Sequence, residues 1–234
     1  NFTVTENWSE WIQDSSANFG TGSRTGVDIE AISGSVILQS QQFGQGEESG
    51  PFQLDSETYS HRHKLLIDNP NTESLPSGYS LKLVLNSAAL VSVNKLQQDG
   101  DDLRIVWLGG GTPFALDRVA DTAFNISATE LWFKSQAAIP AASVDGNYYI
   151  YYGNSSAVAG PSNPANVFDL YDGFDDSEID TTKWTVGGSV ATSSGWAQLS
   201  TGGYLHGKQY FQYGALEMRI QAHEGSDYRW WGWE

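Results

Sequence analysis

The sequence predicts an all-β protein built from β-sandwich domains in tandem, and three observations lead to this prediction. Hydrophobic residues make up 39% of the 234 positions, but they stand in short runs. Aromatic residues (13%) and 25 glycines are typical of short strands joined by tight turns. The segment 87–96 (SAALVSVNKL) is the one stretch with a helical pattern. It is about two to three turns long.

The first segment, residues 1–57, is rich in Ser, Gly and Gln and has only short strand-like runs. We predict strands at 2–5, 27–32 and 35–38, and a polar loop at 40–50 (SQQFGQGEESG). These runs have too few apolar residues to form a core alone. They are therefore expected either to extend the sheet of the next domain or to pair, as an edge strand, with a neighbouring molecule.

The segment 58–170 has the clearest strand pattern, with turn-rich stretches such as 68–71 (DNPN) between the strands. The predicted strands lie at 63–67, 79–85, 103–108, 128–133 and 148–152. Short strands at this spacing predict a two-layer, mainly antiparallel sandwich. We expect its core to include Leu65, Ile67, Leu83, Leu85, Ile105, Trp107, Trp132 and Tyr149.

Two short patterns in this segment look functional but have simpler explanations. The triple glycine at 109–111 has no following Lys or helix, so it predicts a hairpin turn rather than a phosphate loop. His61 and His63 are two positions apart and share a strand face. Two imidazoles without a third ligand make a poor metal site, and we interpret both as half-exposed strand positions. No Ser-His-Asp triad is evident from spacing, so no catalytic residue is predicted.

An acidic run follows the sandwich segment, with six acids between 169 and 180 and no Lys or Arg. Two interpretations stand side by side. Carboxylates are the ligands that Ca²⁺ takes, so the run predicts a Ca²⁺ site that stiffens the joint between two domains. A solvated interdomain linker would have the same composition. The predicted metal ligands are Asp169, Asp172, Asp175, Asp176 and Asp180, with Glu178 in the same run.

The charge balance excludes several classes of partner. The chain has 12 basic and 28 acidic residues, a net charge of −16. Nucleic acids need a basic patch that releases counterions, and none is present, so we expect no nucleic-acid partner. No apolar run approaches the about 18 residues of a membrane span. Because the chain has no cysteine, disulfides, thiol catalysis and thiolate metal sites are excluded.

The sequence also bears on processing and modification. The chain starts at Asn1 without a signal-like apolar segment, so we expect a processed product or part of a longer protein. Asn-x-Ser/Thr sequons, which are candidate glycosylation sites, occur at Asn1, Asn7, Asn125 and Asn154.

The sandwich segment resembles a known family over about 58–170. The resemblance lies in the runs YSHRHKLLIDN, GYSLKLVLN, DGDDLRIVW, ATELWFK and YYIYYGNSSA. Its most specific features are the Asp-Gly-x-Asp turn before a strand and the Tyr-Tyr-Gly-Asn ending. These runs resemble an uncharacterised all-β domain of prokaryotic surface proteins that often stands next to concanavalin-A-like modules. The resemblance implies an extracellular or cell-surface location, and it implies no catalytic residues.

The last segment, 171–234, resembles the opening of a concanavalin-A-like jelly roll. Phe-Asp-Asp at 174–176 and Lys-Trp at 183–184 match its entry, and FQYGALEMRI at 211–220 is similar to a strand of family-sixteen glycoside hydrolases and laminin-G-like lectins. The resemblance implies a jelly roll that is incomplete at Glu234. The carboxylate pair of retaining glycosidases is absent, because no Glu-x-Asp-x-x-Glu run occurs.

Three aromatic residues near the end are candidate carbohydrate contacts. Trp230, Trp231 and Trp233 can stack on sugar rings, although sandwich aromatics more often belong to a core. We expect a non-enzymatic extracellular or cell-surface structural or adhesive protein with weak carbohydrate recognition. Its partners would be glycans or other copies of itself. The alternatives are part of a secreted polysaccharide hydrolase with its catalytic strand beyond Glu234, and a surface-filament subunit joined by strand exchange.

Overall fold

The computed structural model describes the backbone of residues 37–39, 46–200 and 202–210, and side chains over the last two ranges. The chain divides into two compact units. One runs from Val36 to Lys208, and the other consists of 1–35 with 209–234. Nearly all described residues belong to the first unit. That unit is almost entirely β structure in antiparallel sheets, so the all-β prediction is confirmed.

A large and a small sheet form the two layers of a sandwich. The strands of the large sheet are β1 (Ile37–Gln39), β2 (Glu47–Leu54), β3 (Glu57–Asn69), β5 (Arg104–Trp107), β6 (Phe114–Leu116) and β9 (Ser143–Tyr152). Those of the small sheet are β4 (Ser80–Leu85), β7 (Val119–Ala120) and β8 (Thr129–Lys134). In the large sheet the strand order is β1-β3-β9-β5-β6, and β2 also pairs with β3. In the small sheet the order is β4-β8-β7.

The core lies between the two sheets and follows from strand alternation. In β4 every second residue is a buried leucine, and in β8 Leu131 and Phe133 point the same way. They pack in one cluster with residues of β3, β5 and β9 such as Ile67, Ile105 and Ile150. Burial of each such side chain contributes about 1.5–3 kcal/mol to stability.

The predicted core is confirmed for five of its eight residues. Leu65, Ile67, Leu83, Leu85 and Ile105 are 3% exposed or less. Trp107, Trp132 and Tyr149 are only half-buried. Trp132 stands between inward-facing Leu131 and Phe133, and Tyr149 stands between Tyr148 and Ile150, so alternation places both rings on outer faces. The prediction was wrong for Trp132 and Tyr149, because their parity in the strand points them away from the core. Trp107 shares the parity of Ile105 and packs against the core, but it remains partly exposed.

The predicted loop at 40–50 is wrong for its last residues, because Glu47 to Gly50 lie in β2. This strand pairs with one half of β3 while β1 pairs with the other half, so both lie along the same edge. A register shift between Ser49 and Phe52 accommodates Pro51, which has no N–H for a regular ladder. Both strands precede residue 58 and extend the sandwich sheet within the same chain.

A short helix connects the two sheets. It runs from Ser87 to Ser92 (α1), and the Asn86 side chain caps it by accepting a hydrogen bond from Ala89 N at 3.0 Å. The helix is shorter than the predicted 87–96. Asn94 adopts a left-handed conformation (φ 55°) and its N–H bonds to Val91 O, which ends the helix. The hairpin predicted at 109–111 is confirmed, since β5 and β6 pair around it.

The chain beyond the sandwich has a different character. A 3-10 turn (Pro164–Asn166) leads to Phe168, which packs edge-on against the outward-facing Trp132. Two two-stranded ribbons follow, β10 (Trp184–Gly187) with β13 (Tyr204–Gly207) and β11 (Val190–Ser193) with β12 (Trp196–Leu199). Among the described residues, none after Val167 is fully buried.

Candidate functional site

The buried Asp102 is the centre of the most conspicuous polar cluster. Its side chain is 1% exposed. One carboxylate oxygen accepts hydrogen bonds from the backbone N–H of Gly153 (3.0 Å) and Asn154 (3.1 Å), and the other accepts from Gln97 N (2.8 Å). Gly153 has φ 85°, and a Cβ there would lie 2.8 Å from the His61 ring. The carboxylate thus holds the end of β9 to the turn before β5.

Two buried arginines complete this cluster. Arg104 donates to the carbonyls of Asp101 and Val158, at 2.5 and 2.7 Å, and lies 3.4 Å from a Glu57 oxygen. Arg118 donates to the carbonyls of Leu103 (3.1 Å) and Gly100 (2.8 Å). Burial, with the nearby charge of Arg104, lowers the pKa of Arg118 to about 10. We call Asp102, Arg104 and Arg118 the polar knot.

The polar knot explains the most specific sequence features in structural terms. The Asp-Gly-x-Asp turn supplies Asp102, and the Gly-Asn pair after β9 supplies two of the N–H groups that Asp102 holds. Both arginines direct their donors at backbone carbonyls rather than into a cleft. These groups therefore stabilise the fold and are not arranged to bind a ligand.

A second cluster joins the edge strand β2 to the sandwich. Glu47 is 2.8 Å from His61 Nδ1 and 2.6 Å from Lys95 Nζ, and it interacts with Tyr152. Glu47 and His63 are register partners, and the His61 and Tyr152 rings stack at 5.4 Å. We call Glu47, His61, His63, Lys95 and Tyr152 the His–Glu cluster.

Burial and charge determine the protonation states in this cluster. Burial opposes ionisation of Glu47, but the hydrogen bond and charge of Lys95 outweigh it and lower the pKa of Glu47. Burial lowers the pKa of His63, which is 2% exposed, and this favours the neutral imidazole. Tyr152 is fully buried, and burial together with Glu47 raises its pKa. The cluster links β2, β3, β9 and the segment after α1.

Sequence analysis missed this cluster because its members are distant in the sequence. The sequence shows His61 and His63 as a pair without a third partner, and the structure provides Glu47 as that partner. The interpretation of His63 as half-exposed is wrong, because its side chain is buried. Glu47 lies in the stretch assigned to a loop, so its strand pairing with His63 was not anticipated. Within the described ranges, no group of three or more His, Cys, Asp or Glu side chains is arranged to hold a metal ion.

The acids predicted as Ca²⁺ ligands have several different environments. Asp169 forms an ion pair with Lys134 at 2.7 Å. Asp172 accepts hydrogen bonds from Trp184 Nε1 (2.6 Å) and Phe174 N (2.9 Å). Asp180 accepts from the Thr182 N–H and hydroxyl, which lower its pKa, and Lys183 lies 3.4 Å away. The remaining acids, Asp175, Asp176 and Glu178, are exposed.

The other predicted site residues have these positions. Asn125 is exposed in a turn and has φ 59°. Asn154 is half-buried, and its side-chain oxygen accepts a hydrogen bond from Ser156 N at 3.1 Å. Asn1, Asn7, Trp230, Trp231 and Trp233 lie outside the described residues.

An open groove lies beside the exposed end of β6 and has a volume of about 530 Å³. Four stretches distant in sequence form it: 77–78, 114–117, 134–136 and 165–166. Its wall carries one exposed aromatic ring, Phe114, which packs edge-on against Trp107 at 5.6 Å. Polar side chains of Asp117, Lys134, Gln136 and Asn166 line the remainder. We call this feature the groove.

Part of this chain is similar to a family that has no assigned activity. Residues 99–187 match the model of DUF2341, a domain of unknown function. The match begins at the Asp-Gly turn of the polar knot and includes β5 to β10. It agrees with the expected resemblance to an uncharacterised all-β domain, over different bounds. No curated protein and no solved structure matches the chain.

Proposed function

We propose that this chain is a non-enzymatic structural or adhesive module of an extracellular or cell-surface protein, with weak recognition of carbohydrate. The observation that carries the proposal is the use of its buried polar groups. Asp102, Arg104 and Arg118 form hydrogen bonds chiefly to backbone atoms, and His63 and Tyr152 of the His–Glu cluster are buried. Hydrogen bonds from buried charged side chains to backbone groups make a domain rigid, and they leave these side chains without a role in a reaction.

Composition supports the proposed address. A net charge of −16 suits a solvated surface module and disfavours nucleic acids. In the described part of the chain, no helix combines the length and apolar character of a membrane span. The strands β1 and β2 pair with β3 of the same chain, so they favour a self-contained module over a subunit joined by strand exchange.

The resemblance of 171–234 to concanavalin-A-like domains is part of the proposal. In the described residues of this segment, Trp184 packs near Phe174 and the paired strands β10 and β13 follow. Such a neighbour would give the sandwich a carbohydrate-related context, either as a lectin or as the start of a hydrolase. A hydrolase would release reducing ends from β-1,3 or β-1,4 glucans, and we expect none from this chain.

The proposed address is tested on intact cells of the organism that carries the gene. We expect an antibody to the sandwich to label unbroken cells or the medium, and external protease to remove the signal. A chain protected from protease until the cells are lysed would contradict the proposal. A periplasmic or cytoplasmic marker protein monitors cell integrity in the same samples.

A Ca²⁺ site in the run 169–180 is a further part of the proposal. The exposed acids Asp175, Asp176 and Glu178 leave carboxylates available for a hard cation. Binding to the folded state alone would raise the melting temperature. Calorimetric titration with CaCl₂, and melting with and without EDTA, test the site. No heat and no shift in midpoint would identify the run as a solvated linker.

A further inference from the structure

The groove is a concave feature of the described sandwich that the polar knot and the His–Glu cluster do not use. Its volume of about 530 Å³ lies within the range of small-molecule sites, about 300–1,000 Å³. It is open to solvent, and Phe114 is 40% exposed at its wall. The ring therefore offers an apolar face beside the polar side chains of the groove.

The polar side chains of the groove are held in place by neighbouring groups. Asp117 accepts hydrogen bonds from Asn163 N (2.6 Å) and from the Asn166 side chain (2.9 Å). Gln136 donates from its side chain to Lys134 O (2.9 Å), and its backbone N–H bonds to the Tyr148 hydroxyl (2.7 Å). These contacts fix the planes of one carboxylate and two amides without enclosing them in protein. A preorganised set of this kind loses little entropy when it binds a ligand.

The neighbouring loop wall is also fixed. Ser135 is 2% exposed, and its hydroxyl accepts a hydrogen bond from Tyr79 N at 2.9 Å. Gly78 N donates to Ser135 O at 2.8 Å. The loop at 77–78 is thereby held against the end of β8. The groove is therefore a built feature of the sandwich.

The chemistry of the lining selects a class of ligand. Amides donate to and accept from neighbouring hydroxyls, carboxylates accept from them, and an aromatic face covers the apolar C–H face of a ring. The positive charge of Lys134 is offset by Asp169 at 2.7 Å, and Asp117 adds a further negative charge to the lining. This balance disfavours phosphate and other anions. A neutral ring that carries several hydroxyl groups fits the set.

We propose that the groove binds pyranose units of a neutral polysaccharide, with Phe114 against the sugar face and Asn166 and Gln136 hydrogen-bonded to ring hydroxyls. This inference rests on the proposed adhesive function and names its site and ligand class. It assigns carbohydrate recognition to residues of the sandwich rather than to Trp230, Trp231 and Trp233.

The test is a titration of the ¹⁵N-labelled 234-residue chain with neutral hexasaccharides, namely cellohexaose, laminarihexaose and mannohexaose. We expect saturable amide shifts at 77–78, 114–117, 134–136 and 165–166 with at least one of them. The variant Phe114→Ala should weaken this binding by about tenfold, which is one factor of ten in the dissociation constant. The control Trp196→Ala removes an aromatic side chain of similar exposure (39%) outside the groove and should bind as the unchanged chain does.

Three outcomes would overturn the inference. The first is the absence of amide shifts with all three sugars at about 10 mM, which corresponds to very weak affinity. The second is a set of shifts confined to the C-terminal tryptophans. The third is unchanged binding by Phe114→Ala. The ¹⁵N spectrum of each variant shows whether it is folded. A surface chain that binds sugar without shifts in the groove refutes this inference alone, whereas a chain found only inside cells refutes the proposed function.

Discussion

The polar knot and the groove contain similar side chains, yet they use them in opposite ways. In the knot, Asp102 and the two arginines are 8% exposed or less, and backbone groups satisfy them. In the groove, Phe114, Gln136 and Asn166 are exposed, and their polar atoms face an open volume. The knot residues are expected to determine stability, and the groove residues are expected to determine binding.

The difference comes from desolvation. A buried carboxylate without partners is strongly destabilising, so Asp102 persists only because three N–H groups compensate for the lost water. A solvated amide such as that of Asn166 has water as an alternative partner, and its removal costs little. Three measurements test this comparison and one, on His63, tests the role of burial in the His–Glu cluster; they follow from the largest expected effect to the smallest.

The largest effect is expected for Asp102→Ala. The change leaves three N–H donors in a buried site without their acceptor, so we expect the free energy of unfolding to fall by about 3 kcal/mol. Urea denaturation measures it. The control Asp99→Ala removes an exposed carboxylate that accepts a hydrogen bond only from Asp101 N, and should cost about 0.5 kcal/mol or less. Equal losses in the two variants would contradict the role of Asp102.

The next effect is expected for Arg118→Met. It keeps an unbranched side chain against Phe124 but removes the donors to Leu103 O and Gly100 O, so stability should fall by about 2 kcal/mol. The matched variant Arg62→Met alters a guanidinium that is 25% exposed and pairs with the exposed Glu48. Its cost should be about 1 kcal/mol or less. A more destabilising Arg62→Met would show that surface charges, not the knot, dominate stability.

The elements that sequence analysis predicted correctly are those with local signals. Strand β4 follows from the alternation of three leucines, and the β5–β6 hairpin follows from three consecutive glycines. The edge strand β2 has no such signal, because Glu, Ser, Gly and Pro favour turns and the strand is held by backbone pairing with β3. Long-range pairing therefore overrode local propensity at Glu47.

The site features could not be predicted from the sequence, because they join residues that are distant along the chain. The groove joins four stretches that span 77–166, and no spacing pattern in a sequence indicates that Phe114 lies near Asn166. For the His–Glu cluster, the sequence indicates that His61 and His63 share a strand face. It does not indicate Glu47, because that acid comes from another strand. Asp102 was noted only as part of a turn motif. Its burial depends on the end of β9, which lies about fifty positions further along.

The third measurement is the dependence of stability on pH, which concerns His63. Burial lowers the pKa of His63 below its ordinary value of 6.5, so the unfolded chain takes up the proton first. Stability from this group is complete above pH 6.5 and should decline as the pH falls below it. Glu47, whose pKa is lowered from 4.5, adds a further decline below pH 4.5.

The groups that face His63 are Glu47 from β2, with His61, Tyr152 and Lys95 around that carboxylate. Replacing His63 by Leu should remove the decline just below pH 6.5, and His206→Gln, which alters an exposed ribbon residue, should retain it. Thermal melts at pH 7.5, 6.0 and 5.0 measure the slope. An unchanged slope in His63→Leu would assign the pH dependence to other groups.

The smallest effect on stability is expected at the groove, for Asn166→Ala. The side chain is exposed and its one described hydrogen bond is to Asp117, so the free energy of unfolding should change by about 0.5 kcal/mol or less. The same variant should weaken binding of the responsive hexasaccharide severalfold, because the lost amide both oriented Asp117 and offered hydrogen bonds to the ligand. Asp102→Ala should behave in the reverse manner, with a large loss of stability and unchanged affinity in whatever fraction remains folded. If Asn166→Ala instead destabilises the chain as much as Asp102→Ala, the groove residues support the fold, and the distinction between the two clusters fails.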